Sequence, residues 1–379
     1  MAHAVTFKRF DLSADFLAEG ANFGDFNRDG VDDAVAGPYW YEGPRFTTRY
    51  EIYAPVLFDP KGYSDNFFAY VHDFDSDQWD DVLFVGFPGQ AARWFRNPGN
   101  SAQRWEANEV FATVGNEAPA LVDLFQEDQE GKKGNPSLVF NTDGQLGFAR
   151  PNAEPRLPWS FHPITPPGPY GVFAHGLGVG DMDRDGDLDL LEATGWWEHP
   201  TTSSGEALWQ KHAAVFGAGG AQMFAYDVDG DGDQDVVTTL QAHGYGVAWF
   251  ERRDESGQAT FVQHLISSAE GGMDALHEPH ALTLADMNGD GLLDVVTGER
   301  FWGHVPAGDP DPNAPARLMW FELKRGGFGA AFVPHVIDAA SGVGTQIVAR
   351  DVNGDARPDI IVANKKGAVV FLQVSPQAP

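Results

Sequence analysis

Residues 227–235 read Asp227-Val-Asp-Gly-Asp-Gly-Asp-Gln-Asp235, and the same nine-residue phrase recurs through the chain. The other intact copies begin at Asp25 (DFNRDGVDD), Asp73 (DFDSDQWDD), Asp181 (DMDRDGDLD), Asp286 (DMNGDGLLD) and Asp351 (DVNGDARPD). A worn copy begins at Asp123 (DLFQEDQEG). Each intact copy opens and closes on aspartate, with oxygen-bearing side chains at alternate positions between. A tight loop turns such side chains toward one point. That suits calcium, which takes about six to eight hard oxygens at roughly 2.3–2.6 Å.

The spacing predicts six sets of ligands. They are Asp25, Asn27, Asp29 and Asp33; Asp73, Asp75, Asp77 and Asp81; and Asp181, Asp183, Asp185 and Asp189. The remaining sets are Asp227, Asp229, Asp231 and Asp235; Asp286, Asn288, Asp290 and Asp294; and Asp351, Asn353, Asp355 and Asp359. Glycine at the sixth position (Gly30, Gly186, Gly232, Gly291) permits the sharp turn. Gln78 and Ala356 replace it, which predicts weaker binding in those two loops. No metal is expected at the worn copy. The competing reading is a set of acidic turns that hold themselves through aspartate-to-backbone hydrogen bonds.

The loops recur every 46 to 65 residues, a period that points to a stacked or circular repeat array. Each unit reads as four strands. An apolar strand enters the loop (Ala281–Ala285), and a second leaves it (Val295–Thr297). A third carries an aromatic signature, as in Trp196-Trp-Glu198, Trp249-Phe-Glu251 and Trp320-Phe-Glu322, and a fourth supplies His162, His212, His264 or His335. Four strands make one blade of a β-propeller. The last unit stops after its third strand, and Val5–Phe10 reads as an orphan fourth. The expectation is an all-β, seven-bladed propeller of four-stranded blades, one domain over residues 1–379, closed by the N-terminal strand.

Composition narrows function. A formal charge of −30 opposes nucleic-acid binding, and no basic patch offsets it. Six bound calcium ions would offset about 12 of these charges. There is no cysteine, which excludes disulfides and thiolate metal sites. No apolar run is long enough for a membrane span. Met1–Phe10 lacks the apolar stretch of a secretory leader.

The phrase D-x-[DN]-x-D-G-x-x-D followed by an apolar strand resembles the FG-GAP/VCBS repeats of integrin α-subunit propellers and many exported bacterial proteins. The Trp-Trp-Glu-His-Pro element at 196–200 and Trp-Phe-Arg-Asn-Pro-Gly at 94–99 are similar to the subgroup containing the propeller of aldos-2-ulose dehydratase, a sugar-eliminating enzyme. The resemblance implies an extracytoplasmic (periplasmic or secreted) protein whose partner is carbohydrate or another small polar ligand. The implied chemistry is that of a lyase or dehydratase. The alternative is a non-catalytic module that binds glycan or protein.

Strand order locates a site. If the acidic loops lie on one face, the strand starts six residues before them and the turns between second and third strands share the other. Glu117, His175, His277, His280 and Gln346 fall at such strand starts. The turns add Tyr39, Trp196, His243, Arg300, Trp302 and His304. His162, His212, His264 and His335 recur in register and read as packing residues, whereas His175, His243, His277, His280 and His304 break the repeat. β-Elimination needs a base, a stabiliser for the enolate and an acid for the leaving group. His175 or His280 is the expected base and Arg300 the expected stabiliser. Glu117 with His277 and His280 could hold an additional divalent metal at the rim. Tyr39, Trp196, His243, Trp302, His304 and Gln346 are the expected substrate contacts.

Overall fold

The computed structural model describes residues 5–99, 101, 103–126, 136–200, 208–255, 258–270, 275–304, 306–327 and 329–375. The worn repeat that opens at Asp123 lies partly outside these residues, from 127 onward. Among the described residues there is no helix, so none is long and apolar enough to cross a membrane.

The strands follow one another in antiparallel meanders. After β1 (Thr6–Ser13), the first quartet is β2 (Ala21–Gly24), β3 (Asp33–Ala36), β4 (Tyr39–Tyr41) and β5 (Arg49–Glu51). Next come β6 (Phe68–His72), β7 (Asp81–Val85), β8 (Gln90–Arg96) and β9 (Glu106–Val114). They are followed by β10 (Ala120–Val122), β11 (Ser137–Thr142), β12 (Gln145–Arg150) and β13 (Ser160–Pro163). The middle of the chain forms β14 (Leu177–Gly180), β15 (Asp189–Glu192), β16 (Gly195–Glu198) and β17 (Gln210–Ala213). It continues as β18 (Gln222–Tyr226), β19 (Asp235–Thr239), β20 (Val247–Glu255) and β21 (Gln258–Ser267). The chain then forms β22 (Leu282–Ala285), β23 (Asp294–Gly298), β24 (Leu318–Gly326) and β25 (Gly329–Asp338), and ends with β26 (Ile347–Arg350), β27 (Asp359–Asn364) and β28 (Gly367–Val374).

The fold is an all-β propeller, but the expectation of seven separate four-stranded blades is not met. Five sheets have four strands, and β14 to β21 form one continuous sheet of eight. The fusion has a local cause. Leu177 and Gly178 of β14 pair in parallel with Gln222 and Met223 of β18. A Cβ on Gly178 would lie 2.0 Å from the Met223 carbonyl oxygen, so only glycine lets these inner backbones meet. At the chain ends, β1 pairs antiparallel with β28, from Thr6 opposite Val374 to Ser13 opposite Ala368.

Apolar clusters fill the gaps between neighbouring sheets. Val35, Ile52, Val82 and Trp105 lie between the first two, and Leu12, Phe23, Ile361 and Val370 join the first sheet to the last. The repeat signature explains the outer strands. His212 stacks on Trp196, His264 on Trp249 and His335 on Trp320, with ring centroids 4.0, 4.4 and 4.3 Å apart. The same histidines reach Glu198, Glu251 and Glu322 at 2.6, 2.7 and 3.2 Å. Trp-x-Glu opposite His is thus a packing device. His162 lacks that glutamate but stacks on Phe148.

Inner strands are stitched across the centre. The Gln346 amide accepts from the Ala69 N–H and donates to the Ala69 carbonyl. Gln222 donates to the Thr345 carbonyl and accepts from Leu282, while Thr345 donates to the Phe67 carbonyl. These bonds floor the central channel.

Candidate functional site

The acidic loops connect β2 to β3, β6 to β7, β14 to β15, β18 to β19, β22 to β23 and β26 to β27, so they share one face. Their ninth residues behave alike. Asp33, Asp81, Asp189, Asp235, Asp294 and Asp359 are buried, and each accepts two backbone N–H bonds. One bond holds the residue after the opening aspartate; the other reaches the third strand of the same unit or the residues just past it. The opening carboxylates accept N–H bonds within their own loops, as Asp286 does from Gly289, Asp290 and Gly291. Ligand oxygens of Asp73, Asp75 and Asp81, of Asp181, Asp183 and Asp189, and of Asp227, Asp229 and Asp235 converge to within 4.8 Å of one another. In the second loop Arg96 sits against Asp75 and Asp77, where it would compete with any cation.

The other connections meet at the opposite end around a cavity of about 440 Å³. Tyr63, Phe67, Phe87 and Phe173 give it aromatic walls, and Glu117, His175, His243, Arg300 and His304 give it polar ones. With the buried His280 behind that wall, Glu117, His175, His243 and His280 place one donor atom each within 4.8 Å of the others. His175 Nε2 is 3.1 Å from His243 Nε2 and 3.5 Å from Glu117 Oε2. Glu117 Oε2 is 3.0 Å from His280 Nε2 and 4.0 Å from His243 Nε2. Donors side by side on one ion with bonds of about 2.0–2.1 Å stand roughly 3.0–3.4 Å apart.

The His280 contact is short but lacks hydrogen-bond direction, and neither His280 ring nitrogen has a hydrogen-bond partner. Protonation suits ligation. Burial, then the Arg300 charge, pushes His280 well below the usual imidazole range and His243 down to about 3. Burial acts to raise the Glu117 carboxyl, but His175 and His280 outweigh it and hold it well below the usual carboxylate range. Neutral imidazoles beside an ionised carboxylate are the form that binds a metal.

Backbone geometry supports the cluster. Asn116, Glu278 and Trp302 adopt φ of 70°, 46° and 54°, in the left-handed region that side chains disfavour. Such conformations gather at functional sites. Asn116 turns the chain so that the Glu117 N–H donates to the Ala174 carbonyl, fixing Glu117 beside the His175 segment.

Other expected residues lie outside the group of Glu117, His175, His243 and His280. His277 faces Glu299 at 3.6 Å, away from the cluster. Arg300 is buried, pairs with Glu19 and lies over the Phe67 ring. Trp196 is a buried blade residue under His212, and Gln346 is a stitch across the channel. Tyr39 packs on the first-to-last-sheet cluster with Arg49 over its ring. The Trp302 indole donates to the Pro312 carbonyl and stacks on Phe301, off the cavity wall. Sequence reading missed Tyr63, Phe87 and Phe173 as walls. They stand in loops of no common register, so the repeat gave no ruler for them.

Comparison with known proteins bears on the fold. The FG-GAP-like repeat model matches residues 209–297. No curated protein matches the chain in sequence. The structure of BBS1N in complex with ARL6DN aligns over 100% of this chain and 99% of its own, at 12% identity and TM-score 0.51. An auxiliary nutrient binding protein from Bacteroides ovatus aligns over 98% and 78%, at 9% identity and TM-score 0.49. Rhamnogalacturonan lyase YesW aligns over 99% and 74%, at 12% identity and TM-score 0.47. At 12% identity the likeness to BBS1N is one of fold alone. The chain carries an FG-GAP-like repeat within an all-β propeller.

Proposed function

We propose that this propeller is a divalent-metal-dependent lyase or dehydratase acting on a carbohydrate, steadied by calcium in its acidic loops. The observation that carries the reading is the convergence of Glu117, His175, His243 and His280 beneath an aromatic-walled cavity. Aromatic faces seat sugar rings, and the few polar groups fix their orientation. The sequence resemblance to the aldos-2-ulose dehydratase propeller points to the same substrate class.

In this reading His175 and His280 are ligands rather than bases. A cation there would polarise a substrate carbonyl or carboxylate and so acidify the neighbouring C–H. His304, exposed at the mouth, takes that proton. Burial raises the Tyr63 phenol, which stays protonated and can donate to the departing oxygen. The C–H and C–O bonds break, a C=C bond forms, and the proton on His304 later returns to Tyr63. Arg300 balances negative charge developing in the cavity.

The test is to incubate protein loaded with one equivalent of zinc or manganese, in excess calcium, with keto-sugars and uronate oligosaccharides and to follow ultraviolet absorbance from a new conjugated double bond. Growth of the band in wild type, its loss with the metal in Glu117→Gln, and its loss without the metal in His304→Ala are expected. Binding without the band in wild type would overturn the lyase reading in favour of a glycan-binding module.

A further inference from the structure

His243 has two faces. Its Nε2 belongs to the cluster with Glu117, His175 and His280, while its Nδ1 has no hydrogen-bond partner and looks toward Glu278 Oε1 at 3.7 Å. Glu278 is fully buried, and neither of its carboxylate oxygens has a hydrogen-bond partner. The Asp309 carboxyl and the Gly303 N–H lie against it, the first adding a second acid and the second approaching without the geometry of a full hydrogen bond. His304 completes the group: donor atoms of His243, Glu278 and His304 lie within 4.8 Å of one another, and their two imidazole rings are 4.2 Å apart. Asp309 also accepts the His304 backbone N–H at 3.0 Å, which fixes the loop.

A buried carboxylate without a well-formed hydrogen bond is costly. An orienting contact to His243 alone would be the ordinary outer-shell arrangement of a metal-bound histidine. That arrangement would use one Glu278 oxygen and leave the other, with the facing Asp309, unanswered. A cation answers both.

We propose that His243 Nδ1, Glu278 and His304 hold a second divalent cation, so that His243 bridges two ions. This rests on the first centre being a metal site, as read above. The neutral His243 ring has one N–H; with Nε2 on the first ion that proton is on Nδ1, and the second ion displaces it to solvent. Because His304 is the proposed base, occupancy of the second position and turnover exclude one another. The second ion is therefore inhibitory.

The experiment counts zinc per chain by mass spectrometry after gel filtration, with excess calcium present to fill the acidic loops. Two zinc ions are expected in wild type and one in Glu278→Gln, with proton release accompanying the second in wild type alone. Gly303→Ala provides a second variant, since its methyl would stand 2.5 Å from Glu278 Oε1 and 3.2 Å from His243 Nδ1; it too should hold one. One zinc in wild type and in both variants overturns the second position and leaves the first intact. Two in every protein overturns the assignment to Glu278. None in wild type overturns the rim centre and this proposal together.

Discussion

Asp338 shows how one residue ties the chain ends to the ring. It ends β25, accepts backbone N–H bonds from Ala340 and Ser341, and pairs with Arg9 of β1 at 2.8 Å. Burial acts to raise its carboxyl, but the two N–H bonds and Arg9 outweigh burial and hold it below the usual carboxylate value. A depressed folded pKa means that the folded state favours the ionised form. Its stabilisation is present above the unfolded pKa, about 3.9, and is lost as pH falls through the folded value. Asp338→Asn should therefore lower the melting temperature at pH 7, and the gap from wild type should close below about pH 3–4. A gap that stays constant with pH, followed by thermal unfolding in a pH series, would remove the ionic account. The rim histidines were legible at this same scale because they broke a repeat that explained the others. Their grouping was legible only in part. Sequence reading grouped Glu117 with His277 and His280; the chain keeps His280 there, turns His277 to Glu299 and brings in His175 and His243.

The acidic loop is the element that the sequence described best, and also incompletely. Gly at its sixth position was expected to permit the turn, and the fourth position proves equally left-handed: Arg28, Ser76 and Arg184 have φ of 57°, 61° and 64° there. Those side chains gave no glycine signal. At the sixth position Ala356 has φ of 62°, where a Cβ is penalised by about 1 kcal/mol. Ala356→Gly should stabilise the protein by about that amount in denaturant unfolding. The ninth aspartate was read as a ligand, yet it also pins the loop to the third strand. Asp294→Ala would strand the buried N–H groups of Met287 and Leu323, at about 1–3 kcal/mol each, with or without calcium. Asp290→Ala, at the exposed tip, removes only solvent-exposed bonds from the Leu292 N–H and the Asn288 amide, so it should cost far less without calcium than with it. Equal losses for both variants in calcium-free buffer would contradict this division of labour.

Across the whole molecule, the propeller class was legible because period, strand count and turn chemistry agreed. The separateness of its sheets was not, because it hinges on Gly178, a single missing Cβ between β14 and β18 that carries no pattern. The site was half legible for a related reason. Repeats give equal arc lengths, so they locate the rim, but the contacts across it come from loops outside the repeat, such as those carrying Tyr63, Phe173 and Asp309. The central claim is that this rim gathers Glu117, His175, His243 and His280 around one cation. Anomalous diffraction from crystals grown with zinc tests it most directly. The account predicts a peak about 2.0–2.2 Å from Nε2 of all three histidines and from a Glu117 oxygen. Anomalous signal confined to the acidic loops, with the rim histidines hydrogen-bonded to water, would contradict it.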